Sequence, residues 1–453
     1  PLYQSALALG LALANHHYLA VLAVLPATWL LAGVWRARGW KPLAWSAGFV
    51  GAGLLTYLYL PLRALSEPFL NLGDPSSPGR FWWVVSAQAF QKSLAPDAVA
   101  PFGERIADVL LVSGEDMHVG VVVVALLGAY FMLRVRKTRK YGLFWLTLWL
   151  VYVLGRASIG FVHGNPDAIA YFMLSYASLA VFAAFAIGVL LSSLAEALPG
   201  QPRFAAMMGM TLALLSMFQF VRSSEASTLA GFADTDVFDD GLRRALPPRA
   251  VVLAHNPQTI FRFWGGEAEE ASRPDVTMVP LPLLTYPKLV ERFVEREPEL
   301  KPLLRSYILD ARLSPAEMQS LAALRPVFVE MDVRVDRDTM ALVVPEQLYY
   351  RVLTANATDN DEASAMRTHG ELWSRLYARL GRPIEEHTKT QLLWRHYADS
   401  LYFAAVGDTN AALRTSAAGL ALNPHAQELR LLREALKQTT PGEPLDVTPF
   451  TVH

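Results

Sequence analysis

Ionisable side chains draw the eye in this sequence where they are scarce. Asn15-His16-His17 lies inside a run, residues 1–35, that holds no charged side chain. Arg63, Asp74, His118, Arg156, His163 and Asp167 stand at or near the ends of further uncharged runs. If those runs cross a bilayer, such groups are costly at membrane depth and are functional candidates by default. Carboxylates and imidazoles can move protons, and guanidiniums can hold a charged ligand. The competing structural reading is that Arg63 and Arg156 only reach out to the headgroups. The chain has no cysteine, which excludes a thiol nucleophile, a thiolate metal site and a disulfide framework. A glycine-rich phosphate loop, a GxSxG elbow and an HExxH helix are also missing from the sequence.

A sharply divided chain positions these groups. Residues 1–222 hold 15 Lys/Arg and 9 Asp/Glu, whereas residues 223–453 hold 25 and 32. The second part has ordinary soluble composition and the first is strongly depleted in charge. The expectation is a polytopic α-helical membrane domain over 1–222 followed by soluble structure, which excludes a disordered chain and a basic nucleic-acid binder. Six spans are expected, at 18–35, 42–62, 117–133, 141–155, 168–195 and 204–221. The third borrows from 109–113. A partial helix, 4–14, leads them, with residues 15–17 as a turn or wet break. Lys/Arg clusters at 36–41 and 134–140 place those loops inside. The mixed-to-acidic loop 64–116, the loop 156–167 and everything after Arg222 then lie outside. In the long loop, residues 70–75 (Leu-Asn-Leu-Gly-Asp-Pro) signal a turn. The aromatic run 81–85 reads as an interfacial helix, or equally as a packed re-entrant segment. The chain opens on Pro1 with no visible secretory signal, so its natural start is expected upstream.

The soluble part is expected to fold as an α/β domain over 223–355 and a helical region with a tail over 356–453. Short apolar strands at 251–254, 276–281, 327–331 and 341–344 alternate with helices at 258–269, 286–297 and 299–309. His255-Asn256-Pro257 sits at a strand's C-terminal end, where open α/β sheets bind ligands, although a plain strand-to-helix turn explains it as well. Helices follow at 362–380, 391–406, 409–422 and 425–436. The spacing of Ser400, Phe403, Gly407, Ala412, Gly419 and Pro424 is like that of a tetratricopeptide repeat.

Several motifs of the membrane part resemble one family. Residues 10–17, Gly-Leu-Ala-Leu-Ala-Asn-His-His, resemble the GLxxxNHH segment of bacterial membrane proteins related to protein O-mannosyltransferases. Residues 57–63, Tyr-Leu-Tyr-Leu-Pro-Leu-Arg, followed by Asn71-Leu72-Gly73-Asp74-Pro75, resemble the same family's YLYLPLR and NWGDP motifs, with Leu72 in place of the tryptophan. Residues 165–171, ending in Tyr171, resemble its loop before a late span. The resemblance implies a GT-C glycosyltransferase that passes a sugar from a polyprenyl-phosphate donor to a hydroxyl, most plausibly of a protein, on the outer face of the membrane. It implies substrate contacts at Asn15, His16, His17, Tyr57, Arg63, Asn71, Arg156 and Tyr171, and makes Asp74 and Asp167 the outer-face carboxylates for catalysis. The family's acidic motif of the first outer loop is not in this sequence, so the chain is expected to be either a fragment that begins downstream of that motif or a shortened relative without activity. A multi-pass protein of a bacterial inner membrane with its C-terminal part in the periplasm follows. No cofactor is implied, a divalent metal stays open, and the expected partners are lipid, lipid-linked sugar and a protein, not nucleic acid. The alternative is a non-enzymatic envelope scaffold whose outer α/β and repeat-like helices bind a partner protein.

Overall fold

The computed structural model of the chain describes residues 2–68, 70–88, 101–158, 172–197, 202–227, 233–270, 273–330, 337–440 and 442–450. It divides into two compact units, Pro1–Ala226 and Ser227–His453.

The first unit is helical. Its helices are α1 (Leu2–Arg38), α2 (Lys41–Leu54), α3 (Tyr59–Ala64), α4 (Pro78–Val85), α5 (Phe102–Met117), α6 (Val119–Arg134), α7 (Arg139–Ser158), α8 (Met173–Ala197) and α9 (Pro202–Ser227). Three stretches are long and apolar enough to cross a membrane: Ala20–Arg38, Lys41–Ala64 and Met173–Ala197. A fourth arises if α5 and α6, which meet at 107°, count as one broken span. The remaining expected spans fall in α7 and α9, which are helical throughout.

Two expectations are refined here. Residues 15–17 carry helical backbone within α1, but α1 does not run straight. Tyr3 stacks on Phe49, and Gly10 meets Val50 and Gly53, about 12–18 Å along α2 from the α1–α2 turn; a straight α1 would carry Tyr3 and Gly10 more than about 40 Å from that turn. The helix therefore bends sharply between Leu13, whose carbonyl accepts the Tyr57 hydroxyl, and Arg38. Asn and His lower helix propensity by only tenths of a kcal/mol, and the nearest strong breaker is Pro26, which lies inside the helix. The extension of the third span back to 109 is sharply bent rather than straight: the chain turns at His118, whose φ is 68°, and α5 and α6 form one span only as a broken pair. The charges of α5, among them Glu104, Asp108, Glu115 and Asp116, suit a polar boundary rather than a bilayer core.

Packing in this unit follows membrane logic, in which small residues let backbones approach. A Cβ at Gly10 of α1 would overlap the Val50 carbonyl of α2, and one at Gly53 would overlap Gly10. Buried Ala125 and Ala129 of α6 meet Leu179, Phe182 and Ala183 of α8 in a second apolar cluster. A third, of Val109, Val153, Ala157 and Phe172, joins α5, α7 and the start of α8.

The second unit contains α10 (Ala233–Arg244), β1 (Val251–Ala254), α11 (Pro257–Glu270), β2 (Thr277–Pro280), α12 (Pro287–Arg296), α13 (Lys301–Asp310), α14 (Pro315–Ala322), β3 (Val327–Val329), α15 (Arg337–Met340), β4 (Val343–Glu346), β5 (Tyr349–Val352), α16 (Asp359–Arg379), α17 (Glu386–Ala405), α18 (Thr409–Leu422) and α19 (Gln427–Gln438). The strands form one sheet in the order β2-β1-β3-β5-β4. β1 runs parallel to β2 and β3, while β5 is antiparallel to β3 and β4. The parallel strands are apolar on both faces, as covered strands must be.

β5 is an addition to the four expected strands. It pairs with β4 across the turn Gln347-Leu348, where Gln347 takes a φ of 60°. Neither residue is one of the Gly, Asn or Asp types that usually announce a two-residue hairpin. α14 is a further addition, although Ser314 and Glu317 carry a capping signature: the Ser314 hydroxyl accepts the Glu317 N–H at 3.4 Å, and Pro315 begins the helix.

The expected boundary at 355 does not divide the core. Leu372, Leu376 and Leu392 of the trailing helices lie in the same buried cluster as Val252, Met278 and Phe328 of the sheet. The reason is that a single helical pair cannot cover its own apolar face, and here the sheet covers it. From Arg395 to Ala405 α17 is enclosed all round, and it packs against α18, whose buried Ala411, Ala412 and Ser416 keep the helices close.

Candidate functional site

Tyr57, Asn71 and Asp74 come together at one corner of the first unit. The Ser77 hydroxyl caps α4 by accepting the Arg80 N–H at 3.4 Å, and Pro78 starts the helix. That cap turns Arg80 back onto the preceding loop, where it forms an ion pair with Asp74. Asn71 donates its amide to the other Asp74 oxygen at 3.1 Å. Asp74 is 8% exposed and has a φ of 41°, a conformation that Asp tolerates better than most residues. Gly73 is required beside it, because a Cβ there would overlap the Val84 side chain of α4. Burial alone would raise the Asp74 pKa, but hydrogen bonds from Ser76, Arg80 and Asn71 and the Arg80 charge outweigh it and hold the carboxyl below its ordinary value. The result is an ionised carboxylate whose oxygens are already engaged. Such a group organises a loop well and competes poorly for a substrate proton.

The corner is tied to the helices on its other side. The Tyr57 hydroxyl donates to the Leu13 carbonyl of α1 at 2.9 Å, and its ring meets Phe81 of α4 edge-on at 6.2 Å. The aromatic run 81–85 is helical, with Trp82 63% exposed. Arg63 is exposed on α3, and among the described residues its side chain reaches Ser66, at 2.9 Å.

Arg156 stands elsewhere, in the last turn of α7. It is 7% exposed, with its guanidinium 5.8 Å from the Phe172 ring centre. This burial favours a role inside the helical unit over simple extension to headgroups. Near it Arg105 of α5 donates to the Ser158 carbonyl at 3.4 Å, and Tyr176 of α8 donates to Asp116. Asn15 is exposed on α1. The side chains of His16 and His17, and the whole of His163, Asp167 and Tyr171, lie outside the described residues. Among the described residues no three His, Asp or Glu side chains gather as a metal site.

In the second unit, the crevice at the ends of β1 and β3 is filled by the chain itself. Glu330, 2% exposed, accepts the backbone N–H of His255 at 3.1 Å and of Asn256 at 2.9 Å, and the Thr259 hydroxyl at 2.7 Å. Arg395 of α17 forms an ion pair with it, reaches Thr259 at 3.3 Å and lies 5.6 Å from the Tyr349 ring centre. The start of α11, a natural place for an anionic ligand, therefore holds an internal carboxylate. The motif 255–257 is a strand-to-helix turn locked by Glu330.

A second buried network lies between β5, α16 and α17. His369 donates to Asp399 at 3.0 Å and, through its other nitrogen, to the Gln347 carbonyl, while Tyr350 donates to Asp399. Burial opposes the charged form of His369, but Asp399 and the Gln347 carbonyl outweigh it and raise its pKa. Burial likewise opposes ionised Asp399, and His369 and Tyr350 outweigh it in the lowering direction. His396 differs: it accepts the Tyr377 hydroxyl at 2.7 Å, stacks on Trp373 at 4.3 Å, and burial lowers its pKa to about 4. Ser400, next along α17, is engaged with the His396 carbonyl at 2.6 Å and Thr415 at 2.9 Å, so the Asp–His pair has no nucleophile aimed at it from that hydroxyl.

Sequence reasoning missed Arg80, Glu330, Arg395, His369 and Asp399. A faint signal existed for the α17 members, since Arg395, His396 and Asp399 stand among the mostly apolar residues 392–405 of that helix. Compared with family models, curated proteins and solved structures, the chain matches none of them.

Proposed function

We propose that the chain is a membrane glycosyltransferase, or the C-terminal part of one, resembling protein O-mannosyltransferases. It transfers a sugar from a polyprenyl-phosphate donor to a protein hydroxyl at the outer face of a bacterial inner membrane. The observation that carries this reading is the juxtaposition of the two resembling motifs. Tyr57 of the first and Asn71 and Asp74 of the second meet α4 at one corner, beside helices of membrane-spanning length. Arg63, exposed on the same stretch, is the cation that meets the donor phosphate there; Arg156, buried, acts from the α7 end. The exposed Trp35, Trp40 and Trp45 around the α1–α2 turn, beside Arg36, Arg38 and Lys41, support a cytoplasmic interface at that turn. The loop 64–116 and the second unit then belong outside, and the α16–α19 helices serve as a repeat-like module toward a protein partner. In this scheme Asp74 holds the loop, and the catalytic role passes to Asp167, the other carboxylate that the sequence puts on the outer face. Incubating the full-length protein with labelled polyprenyl-phosphate mannose and a Ser/Thr peptide tests the proposal. Label should enter the peptide, and Asp167→Asn should abolish the transfer; a folded protein that transfers nothing from this donor refutes it.

A second reading is a scaffold that docks a partner protein. It is favoured by a groove of about 540 Å³ between α12 and α13, lined by Val290, Val294, Leu304 and Ile308 and flanked by Glu291, Glu295, Lys301 and Arg305. A stoichiometric partner captured by the full chain and lost on Ile308→Asp, with no sugar transfer, would select it.

A further inference from the structure

The end of the chain returns along α17. The Leu445 N–H donates to the Ala404 carbonyl at 2.9 Å, and the Tyr397 hydroxyl donates to the Phe450 carbonyl at 2.6 Å. Ala404 and Tyr397 lie about two turns apart on α17, so the tail runs antiparallel to the helix. Between the two anchors Val447 is buried and Leu445 and Phe450 are half-buried, while Asp446, Thr448 and Pro449 point to solvent. Gly407, with a φ of 85°, opens the path, since a Cβ there would stand 2.9 Å from the Gly442 carbonyl oxygen. The segment carries its own shape: Asp446 accepts the Thr448 N–H at 3.1 Å and hydroxyl at 2.7 Å, and the Phe450 N–H donates to Val447 at 2.9 Å.

These contacts suit a ligand more than a core element. The tail belongs to no sheet or long helix, and it buries one side chain fully. The Ala404 carbonyl lies in the last turn of its helix and also accepts the Gly407 N–H at 3.2 Å, so the Leu445 N–H takes up its second lone pair. We propose that this face of α17 is a docking surface for an extended peptide, and that residues 442–450 occupy it as a displaceable strap. The partner it fits is a peptide with apolar side chains spaced as Leu445, Val447 and Phe450 are, offering one N–H to Ala404 and one carbonyl to Tyr397. Segments held by few apolar contacts open before the core does, so a competing peptide finds the face without unfolding of the unit. The proposal stands independently of the sugar-transfer reading.

The test uses the full chain with a protease site inserted after Gln438, cut after purification, and a fluorescent peptide of residues 442–450. After cutting and dialysis the protein should bind the peptide saturably, and the uncut chain, whose own strap competes, should bind it at least tenfold more weakly. Val447→Asp in the peptide, or Tyr397→Phe in the protein, should weaken binding at least tenfold. A cut protein that keeps its helical circular dichroism but does not bind the peptide overturns the proposal. Loss of helix on cutting also overturns it, because the tail is then part of the fold. Hydrogen exchange on the uncut chain adds an independent reading: the Leu445 amide should exchange at least tenfold faster than amides of β1 and β3, and equal rates contradict a strap.

Discussion

Asp74 and Glu330 are both buried carboxylates held by an arginine, yet they are built in opposite ways. Arg80 lies six residues from Asp74, on the helix that the same loop initiates, and its side chain is 46% exposed. Arg395 lies 65 residues from Glu330, and both side chains are almost fully enclosed. The first pair shapes a surface loop and leaves Arg80 half open to solvent. The second closes a crevice and locks sheet to helix. Similar chemistry thus organises a candidate site in one unit and seals one in the other.

Breaking the enclosed pair should have the largest effect. Arg395→Met leaves Glu330 buried without its cation, and should lower the unfolding free energy of the second unit by about 3–5 kcal/mol in denaturant titrations. Adding Glu330→Leu should restore much of the loss; no recovery would mean that Arg395 acts through something other than this pair. Next comes the helix contact that supports the Asp74 corner. Gly10→Leu forces α1 from α2 and should destabilise the first unit by about 1–3 kcal/mol, read as a lower midpoint in detergent with the second unit unchanged. Asp74→Ala should slow sugar transfer about tenfold, or about 1.4 kcal/mol, because the residue positions the loop. Complete loss of transfer at unchanged stability would instead make it the base.

The smallest effect concerns pH. The raised pKa of His369 gives stability that is fully present below its unfolded value of 6.5 and is lost as pH rises through the folded value. His396 has the opposite sign. With its folded value lowered to about 4, the unfolded state takes up the proton first, and stability falls as pH drops from 6.5 toward 4. Asp399, lowered below 3.8, adds stability that is lost only at still lower pH. The second unit should therefore be most stable near pH 6.5. His369→Gln should flatten the alkaline limb and His396→Phe the acid limb; a profile untouched by both substitutions would contradict these assignments.

The same contrast explains what could be read from the sequence. Asn71, Gly73 and Asp74 make a local turn whose residue types name it, and the uncharged runs announce apolar helices by length alone. Arg80 was within reach, since Ser77-Pro78 signals a helix start that turns it toward the loop. Glu330, Arg395, His369 and Asp399 were not, because each looks like an ordinary surface residue until the sheet and α17 fold together. β5 escaped for a related reason: Gln347 adopts its unusual backbone because the hairpin around it is held by the sheet, not because its type prefers it. The bend at His118 likewise depends on α5 finding a place on α7, which no local pattern encodes.

The proposed sugar transfer requires residues 70–80 and the residues after Arg222 to lie on the side of the membrane opposite the basic loops. The chain contains no cysteine, so single-cysteine variants report cleanly. In intact cells a membrane-impermeant maleimide should label Ser76→Cys and Ser320→Cys but reach Arg136→Cys only after lysis. Labelling of Ser76→Cys and Ser320→Cys from opposite sides would contradict the account.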